Sequence, residues 1–249
     1  MGATLENTER PKCGTDEGCQ AVIRALDPAE RPTSTISKAD AKCRFFWRMG
    51  AVPPETRFPG LNMQNVVPEA FKDRWEPLMD GWGGQLLGSV DTVARMLAVG
   101  LGIDESTFSQ AAEYGSHLLA PTASNLDKYG DVGHVLAGFH TDLNFLTIHG
   151  RSRFPGLFVW ARNVGKRMAV KVPPGHLLVQ AGKQLEHLTG GLVLAGYHEV
   201  VVTPATVETM QKRRADPATA DRPSIRISST LFHHLSSDYK CAFSSLSPT

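Results

Sequence analysis

The sequence has no excess of charge of either sign. Its 249 residues carry 26 Lys and Arg against 25 Asp and Glu, a formal net charge of +1 at pH 7. Nucleic-acid binding relies on a basic excess that neutralises phosphates, so we do not expect nucleic acid as the main partner. Hydrophobic residues make up 41% and charged residues 20%. This is ordinary globular composition, which excludes a disordered chain, a coiled coil and a collagen-like repeat.

Cysteines and long apolar runs are also scarce. The four cysteines are too few and too scattered for a disulfide framework, and none forms the CxxC pair of a zinc ribbon. The N-terminus has no apolar segment typical of a signal peptide, and no run approaches membrane-spanning length. We therefore expect a soluble, cytoplasmic protein with reduced thiols and no membrane partner.

The N-terminal part of the chain shows little periodicity. Residues 1 to about 40 are polar, and the following Pro53–Pro68 segment is rich in Pro, Gly and Asn. We expect residues 1–52 to be a poorly ordered or shortened region. Residues 53–249 are expected to form one domain of supporting helices followed by strands.

Apolar residues at three- to four-residue spacing predict helical structure between about Pro68 and Leu101. The glycines at 81, 83 and 84 leave open whether this is one helix or two. A shorter helix is expected over Asp104–Tyr114, because its first turn is acidic.

From residue 134 onward, short apolar segments alternate with Gly- and Pro-containing turns. The predicted strands are 134–139, 145–150, 157–162, 168–172, 176–182, 192–203 and 224–234. Such spacing is typical of an all-β sandwich or barrel rather than of βαβ units. The predicted class is therefore mainly β with N-terminal helices.

One His-x-acid triplet stands out among the nine histidines. In His140-Thr141-Asp142, the imidazole and the carboxylate are two residues apart. On a strand, both side chains then point to the same side and can bind one ion. A hydrogen-bonded pair that stabilises a turn is the simpler alternative.

A third ligand would have to come from a distant strand. His198 lies in a β-rich run 56 residues after Asp142; the alternative for this residue is an ordinary core histidine. Two imidazoles and one carboxylate leave three positions open on a metal, an arrangement that suits non-haem Fe(II). A closed zinc site would instead require four protein ligands.

Arg226 and Ser228 have the same two-residue spacing on a later predicted strand. A guanidinium and a hydroxyl on one face inside a barrel form a receptor for a carboxylate. Arg226 as a strand-surface arginine is the alternative. Each pattern is weak alone, but their order along the chain makes the combination informative.

These segments together resemble the Fe(II)/2-oxoglutarate-dependent dioxygenases of the isopenicillin N synthase-like group. The resemblance covers roughly residues 60–235 and is most specific in HTDLNFLTIHG. It implies a double-stranded β-helix, or jelly roll, with the metal between its sheets. It also implies iron ligation by His140, Asp142 and His198, and binding of the distal carboxylate of 2-oxoglutarate by Arg226 and Ser228.

The sequence departs from the pattern of this group in four places. A tyrosine-rich strand is replaced by HLLAPTASNLDKYG, and the usual Gly-Asp pair is Gly182-Lys183. The charged insertion at 203–223 is expected to be a surface loop. The N-terminal region, which normally helps to enclose the active site, is expected to be shortened or replaced.

The resemblance implies an enzyme that uses O₂ to oxidise a C–H bond of a small molecule and releases succinate and CO₂. The carboxylate ligand leaves no vacancy for a halide, so hydroxylation, desaturation or ring closure is favoured over halogenation. Three alternatives remain: an oxidase of the same family that needs no 2-oxoglutarate, a non-catalytic metal-binding or interaction protein, and an unrelated cupin-like binding module. The sequence does not indicate the substrate or the oligomeric state.

Overall fold

The computed structural model of the chain describes residues 1–34 and 38–240. The strands are β1 (Gly2–Thr4), β2 (Cys43–Met49), β3 (His117–Asn125), β4 (Val135–His140), β5 (Leu146–His149), β6 (Leu157–Ala161), β7 (Lys166–Ala169), β8 (Leu178–Ala181), β9 (Tyr197–Val201) and β10 (Ile225–His233). The α-helices are α1 (Glu17–Ala25), α2 (Lys72–Gly100), α3 (Thr107–Ala112), α4 (Leu126–Tyr129), α5 (Lys183–Leu188) and α6 (Pro204–Ala215). Each of the seven predicted strand segments contains a strand or overlaps one.

The strands form two antiparallel sheets. The major sheet has the order β1-β2-β3-β10-β5-β8, and the minor sheet has the order β4-β9-β6-β7. Between β3 and β10 the chain passes repeatedly from one sheet to the other, and within this span only β6 and β7 are adjacent in both sequence and sheet. This alternation is the winding of a double-stranded β-helix, so the predicted fold is confirmed.

Helix α2 covers the outer face of the major sheet. It runs unbroken for 29 residues, with Pro77 in its second turn, which settles the choice between one helix and two. Gly83 lies against the sheet, where an added Cβ would come within 2.6 Å of Met49 Sδ. This glycine permits close packing of helix and sheet instead of breaking the helix. The shorter predicted helix is α3.

Residues 1–52, for which we expected little regular structure, contain β1, α1 and β2 in this structure. Strand β2 extends the major sheet beside β3. Helix α1 packs through Ile23 against Phe139 and Trp160 of the minor sheet. The N-terminal region thus adds two strands to the major sheet and packs a helix against the minor sheet.

The expectation of reduced thiols is wrong for one pair. Cys13 and Cys19 form a disulfide. Asp16, between the two cysteines, caps α1 by accepting a hydrogen bond from the Cys19 N–H. Cys43 is free and exposed, and Cys241 lies outside the described residues.

The surface loop expected at 203–223 is instead largely the helix α6. Thr203 and Thr206 form a reciprocal capping box, and Pro204 occupies the first turn. Proline at this position is pre-organised for a helix. Met210 anchors the helix because its side chain is buried in a satellite core. We overlooked these start signals because the segment is highly charged.

In the described part of the chain, no helix combines the length and the apolar character that crossing a membrane requires.

Candidate metal and cosubstrate site

Two histidine rings lie side by side on neighbouring strands of the minor sheet. His140 ends β4, and His198 is its direct partner in the antiparallel ladder with β9. Their ring centroids are 4.2 Å apart. Both rings line a cavity between the two sheets, as expected for opposite residues that share one face of a sheet.

Asp142 follows β4 and completes a cluster with the two rings. Its Oδ1 lies 3.8 Å from Nε2 of His140 and 3.8 Å from Nε2 of His198. One ligand atom from each residue lies within 4.8 Å of the others. The three residues named from the sequence are therefore brought together, in an arrangement that could hold one metal ion.

The second oxygen of Asp142 is held by the protein. Thr147 Oγ1 donates a hydrogen bond of 2.7 Å to Asp142 Oδ2, and Asn144 Nδ2 donates one of 3.1 Å to Thr147 Oγ1. All three side chains are buried. These bonds leave Oδ1 facing the histidines, and such partners orient metal ligands in proteins.

Each histidine has its other ring nitrogen near a backbone carbonyl. His140 Nδ1 is 2.6 Å from the Gly138 oxygen, and His198 Nδ1 is 3.4 Å from the Gly196 oxygen. A carbonyl can only accept, so each Nδ1 carries the proton and donates. Each Nε2 then presents a lone pair toward Asp142, which is the tautomer required for metal ligation.

The protonation states of His140 and Asp142 favour the binding of a metal cation. Burial lowers the pKa of His140 below its ordinary value, and neighbouring His198 adds to the effect. Burial alone would raise the pKa of Asp142, but the two histidines and Thr147 leave it lowered. Because ligands must be deprotonated to bind a metal, a neutral His140 and an ionised Asp142 favour binding at neutral pH.

Arg226 and Ser228 face the same cavity from β10 of the major sheet. The Arg226 side chain is buried, and its Nε has no hydrogen-bond partner in the structure. Burial lowers its pKa to about 10, and within residues 1–34 and 38–240 no carboxylate pairs with it. A buried, unpaired guanidinium is costly, and an entering carboxylate would remove that cost.

Strand β3 supplies the side chains beside this receptor. Ser124 is the register partner of Arg226, and Thr122 is the register partner of Ser228. Both hydroxyl residues line the cavity. The segment whose role the sequence left unassigned therefore presents small hydroxyls where the resembled group has a tyrosine-rich strand.

His149 lies between the two groups and was not singled out from the sequence. Its Nδ1 is 3.2 Å from Thr230 Oγ1, which is 3.1 Å from Ser228 Oγ. Its Nε2 is 2.8 Å from Gln180 Nε2. The sequence contained a signal for His149: this residue follows Thr147 at a spacing of two on β5, so the two side chains lie on the same face of the sheet.

A larger cavity of about 720 Å³ opens on the metal side. His140 and Asp142 form part of its wall, and the N-terminal region supplies much of the rest, including Lys42 and Arg44. Lys42 lies 2.7 Å from Asp40 and is buried. We did not predict either basic residue, because no local pattern links residues 40–46 to the metal motif.

The remaining histidines do not join the cluster. His117 and His233 stack at 4.4 Å in the core, and His234 borders the larger cavity. His176 is exposed.

The sequence matches the family model of the 2OG-Fe(II) oxygenase superfamily over residues 111–235. The match covers half of the chain and contains all five site residues named from the sequence. The chain belongs to the 2OG-Fe(II) oxygenase superfamily. A comparison with curated proteins finds no significant match.

Several solved structures share this fold. A 2OG-Fe(II) oxygenase family protein from Caulobacter crescentus is 25% identical, with a TM-score of 0.65 over 97% of this chain and 65% of its own. A full-length Neurospora crassa protein, solved in complex with alpha-KG, is 20% identical, with a TM-score of 0.62 over 94% of this chain and 64% of its own. JOX2, solved with 2OG, Fe and JA, is 18% identical, with a TM-score of 0.59 over 87% of this chain and 56% of its own. The chain thus spans less than two thirds of the length of each of these three structures.

Proposed function

We propose that this protein is an Fe(II)- and 2-oxoglutarate-dependent oxygenase that oxidises a small molecule with O₂. His140, Asp142 and His198 would hold the iron, and Arg226 and Ser228 would bind the distal carboxylate of 2-oxoglutarate. Membership of the isopenicillin N synthase-like group and a cytoplasmic location are finer parts of the same proposal.

The observation that carries the proposal is the pairing of two complementary sites in one cavity. A His-Asp-His cluster lies on one side, and on the other lies the buried guanidinium of Arg226, whose Nε has no hydrogen-bond partner among the described residues. A metal site alone would not require Arg226. A dicarboxylate that reaches from the metal to Arg226 accounts for both.

Different side chains have different positioning roles in the proposed site. Thr147 holds Asp142 in place, and the carbonyls of Gly138 and Gly196 set the histidine tautomers. Arg226 and Ser228 would orient the cosubstrate. When bound, the iron and 2-oxoglutarate would supply the oxidising chemistry, with succinate and CO₂ as coproducts.

The substrate would occupy the cavity of about 720 Å³ beside His140 and Asp142. This volume lies within the range of small-molecule pockets, about 300–1,000 Å³. Apolar side chains such as Phe46 and Phe232 share its wall with Lys42 and Arg44. The site therefore suits a small molecule with both apolar and polar parts.

Succinate formation tests the proposal. The purified protein with Fe(II), O₂ and 2-oxoglutarate should release succinate, and a panel of small molecules should be screened for those that increase the rate. His198→Ala should abolish release. His176→Ala, at an exposed histidine outside the cluster, should leave it unchanged.

Two results would contradict the proposal. O₂ consumption without succinate would identify an oxidase that needs no 2-oxoglutarate. Tight iron binding without turnover on any panel member would favour a non-catalytic metal-binding protein.

A further inference from the structure

A further cavity, here called the basic pocket, borders Arg226 and is lined by none of the three residues of the metal cluster. Its volume is about 420 Å³. His149, Leu157, Arg226 and Ser228 line both this pocket and the cavity that contains the metal cluster. The cosubstrate receptor thus forms a common wall between them.

The charged residues that line the basic pocket are all cationic. Arg151, Arg153, Lys171 and Arg226 line it, and its wall contains no Asp or Glu. In the part of the chain that the structure describes, none of these four cations forms an ion pair. Lining cations without counter-charges create a positive potential that concentrates anions.

The loop after β5 and helix α6 both place arginines at or beside the basic pocket. Strand β5 ends at His149, and the loop after it presents Arg151 and Arg153. From α6, the guanidinium of Arg213 lies 5.6 Å from the ring centre of Phe154, a buried residue of the pocket wall. The helix therefore adds a further cation beside the wall.

The burial of Arg226 is a second observation in favour of an anionic ligand, separate from the exposed cations. Its side chain is 7% exposed, and its Nε has no partner. Exposed arginines alone would be satisfied by water. A buried guanidinium that also borders the pocket gives an anion a fixed, desolvated donor, and such charge-assisted hydrogen bonds are the stronger ones.

We propose that the basic pocket is a second anion-binding site, for a small oxyanion with two or more negative charges, and that it shares Arg226 with the cosubstrate site. Inorganic phosphate and a free polycarboxylate such as citrate both have this chemistry. Because one guanidinium serves both sites, the bound anion and 2-oxoglutarate should weaken each other's binding by the same factor.

Phosphate binding to the metal-free protein tests the site without reference to oxygenase activity. Calorimetric titration at constant ionic strength should show one site for phosphate, with chloride as the monovalent control. Arg151→Glu/Arg153→Glu should weaken binding at least about tenfold, as loss of about 1.4 kcal/mol would. Arg74→Glu/Arg222→Glu, at two exposed arginines outside the pocket, changes the net charge equally and should have little effect. Lys171→Glu provides an independent variant on another segment.

A parallel titration with citrate identifies the source of the anion, since the tighter of the two ligands has the shape that the pocket fits. Equal weakening by the pocket and control variants would overturn the proposal, because binding would then follow net charge alone. Absence of phosphate and citrate binding at millimolar concentration would also overturn it.

The shared role of Arg226 rests on the proposed function and is tested separately. With Fe(II) present, added phosphate should raise the apparent Kd for 2-oxoglutarate, and the pocket double variant should remove that effect. If phosphate binds but does not change the affinity for 2-oxoglutarate, the site stands and the sharing is wrong. If 2-oxoglutarate does not bind at all, the proposed function fails while the phosphate result remains interpretable.

Discussion

The two sides of the central cavity differ in how far the protein satisfies its own polar groups. On the minor sheet, each imidazole Nδ1 faces a carbonyl, and the second oxygen of Asp142 is held by Thr147. On the major sheet, the Nε of Arg226 has no partner. The metal side is thus pre-oriented by the fold, whereas no carboxylate of the described residues balances the charge of Arg226. The same cavity therefore holds a site built to position its ligands and a site whose charge only a ligand can balance.

Replacing a residue that binds the metal should have the largest effect, and the effect should fall on the metal side of the cavity. Asp142→Ala removes the only carboxylate of the described metal cluster. Removing a hydrogen-bond partner of a ligand typically weakens metal binding about 10- to 100-fold, so removing the ligand should weaken Fe(II) binding by more than about 100-fold. Anaerobic calorimetry with Fe(II) measures this. Unchanged affinity would mean that iron binds elsewhere.

Protonation of the buried His149, which lies between the two sides of the cavity, should make the free energy of unfolding depend on pH. Burial lowers the pKa of His149 to about 4, against an ordinary value of 6.5. Between these values the unfolded chain binds more protons than the folded one, so the free energy of unfolding falls as the pH falls from about 6.5 to about 4. For this residue the loss is about 3 kcal/mol, at about 1.4 kcal/mol per pKa unit.

Urea unfolding of the metal-free protein at pH 7 and pH 5 measures the part of that loss that falls above pH 5, about 2 kcal/mol at about 1.4 kcal/mol per pKa unit. His233 and His234 have pKa values lowered to about 4 by burial as well, so the wild type should lose stability steeply. His149→Leu should reduce the loss, and His176→Leu should not. An equal loss in the wild type and in His149→Leu would show that His149 does not contribute.

Arg226→Met should affect binding and stability in opposite directions. We expect 2-oxoglutarate affinity to fall about 100-fold, because truncating one partner of a buried charge pair costs about 2–5 kcal/mol. The ligand-free protein should become more stable by about 1–3 kcal/mol, the cost of a buried donor without a partner. Ligand titration and urea unfolding measure the two effects. A loss of both stability and affinity would show that Arg226 has a structural role instead.

Thr147→Val should have a smaller effect, confined to the metal side. The substitution keeps the shape of the side chain and removes the hydrogen bond to Asp142. Fe(II) affinity should fall about 10- to 100-fold, with little change in the 2-oxoglutarate affinity of the iron-loaded protein. Thr122→Val is the matched control, because Thr122 lines the cavity but bonds the Ala120 carbonyl. Equal effects of the two substitutions would argue against a positioning role for Thr147.

Much of the fold and the cluster could be predicted from sequence, because both depend on spacing along strands. A spacing of two places His140 and Asp142 on one side of their segment, and Arg226 and Ser228 on one face of theirs. Short strands separated by Gly and Pro then limit the architecture to a barrel or sandwich. The functional roles of these residues remain predictions.

Contacts between distant segments could not be predicted in this way. Nothing local connects Lys42 to the metal motif, since their proximity depends on β2 joining the major sheet beside β3. The basic pocket arises because the loop after β5 meets Lys171 and Arg226 in space. Helices α1 and α6 had local signals, in the Asp16 cap and in Thr203-Pro204. The polar or charged character of these two segments led to the expectation of little regular structure, whereas the disulfide was not expected because the cysteines are few and scattered.

Anaerobic titration with Fe(II) and 2-oxoglutarate tests the central claim most directly, because it requires both sides of the cavity at once. We expect a visible absorption band that neither component shows alone. The band should be absent in His198→Ala and weakened in Arg226→Met. Iron binding without the band, or a band that Arg226→Met leaves unchanged, would contradict the account that one cavity joins the metal and the cosubstrate.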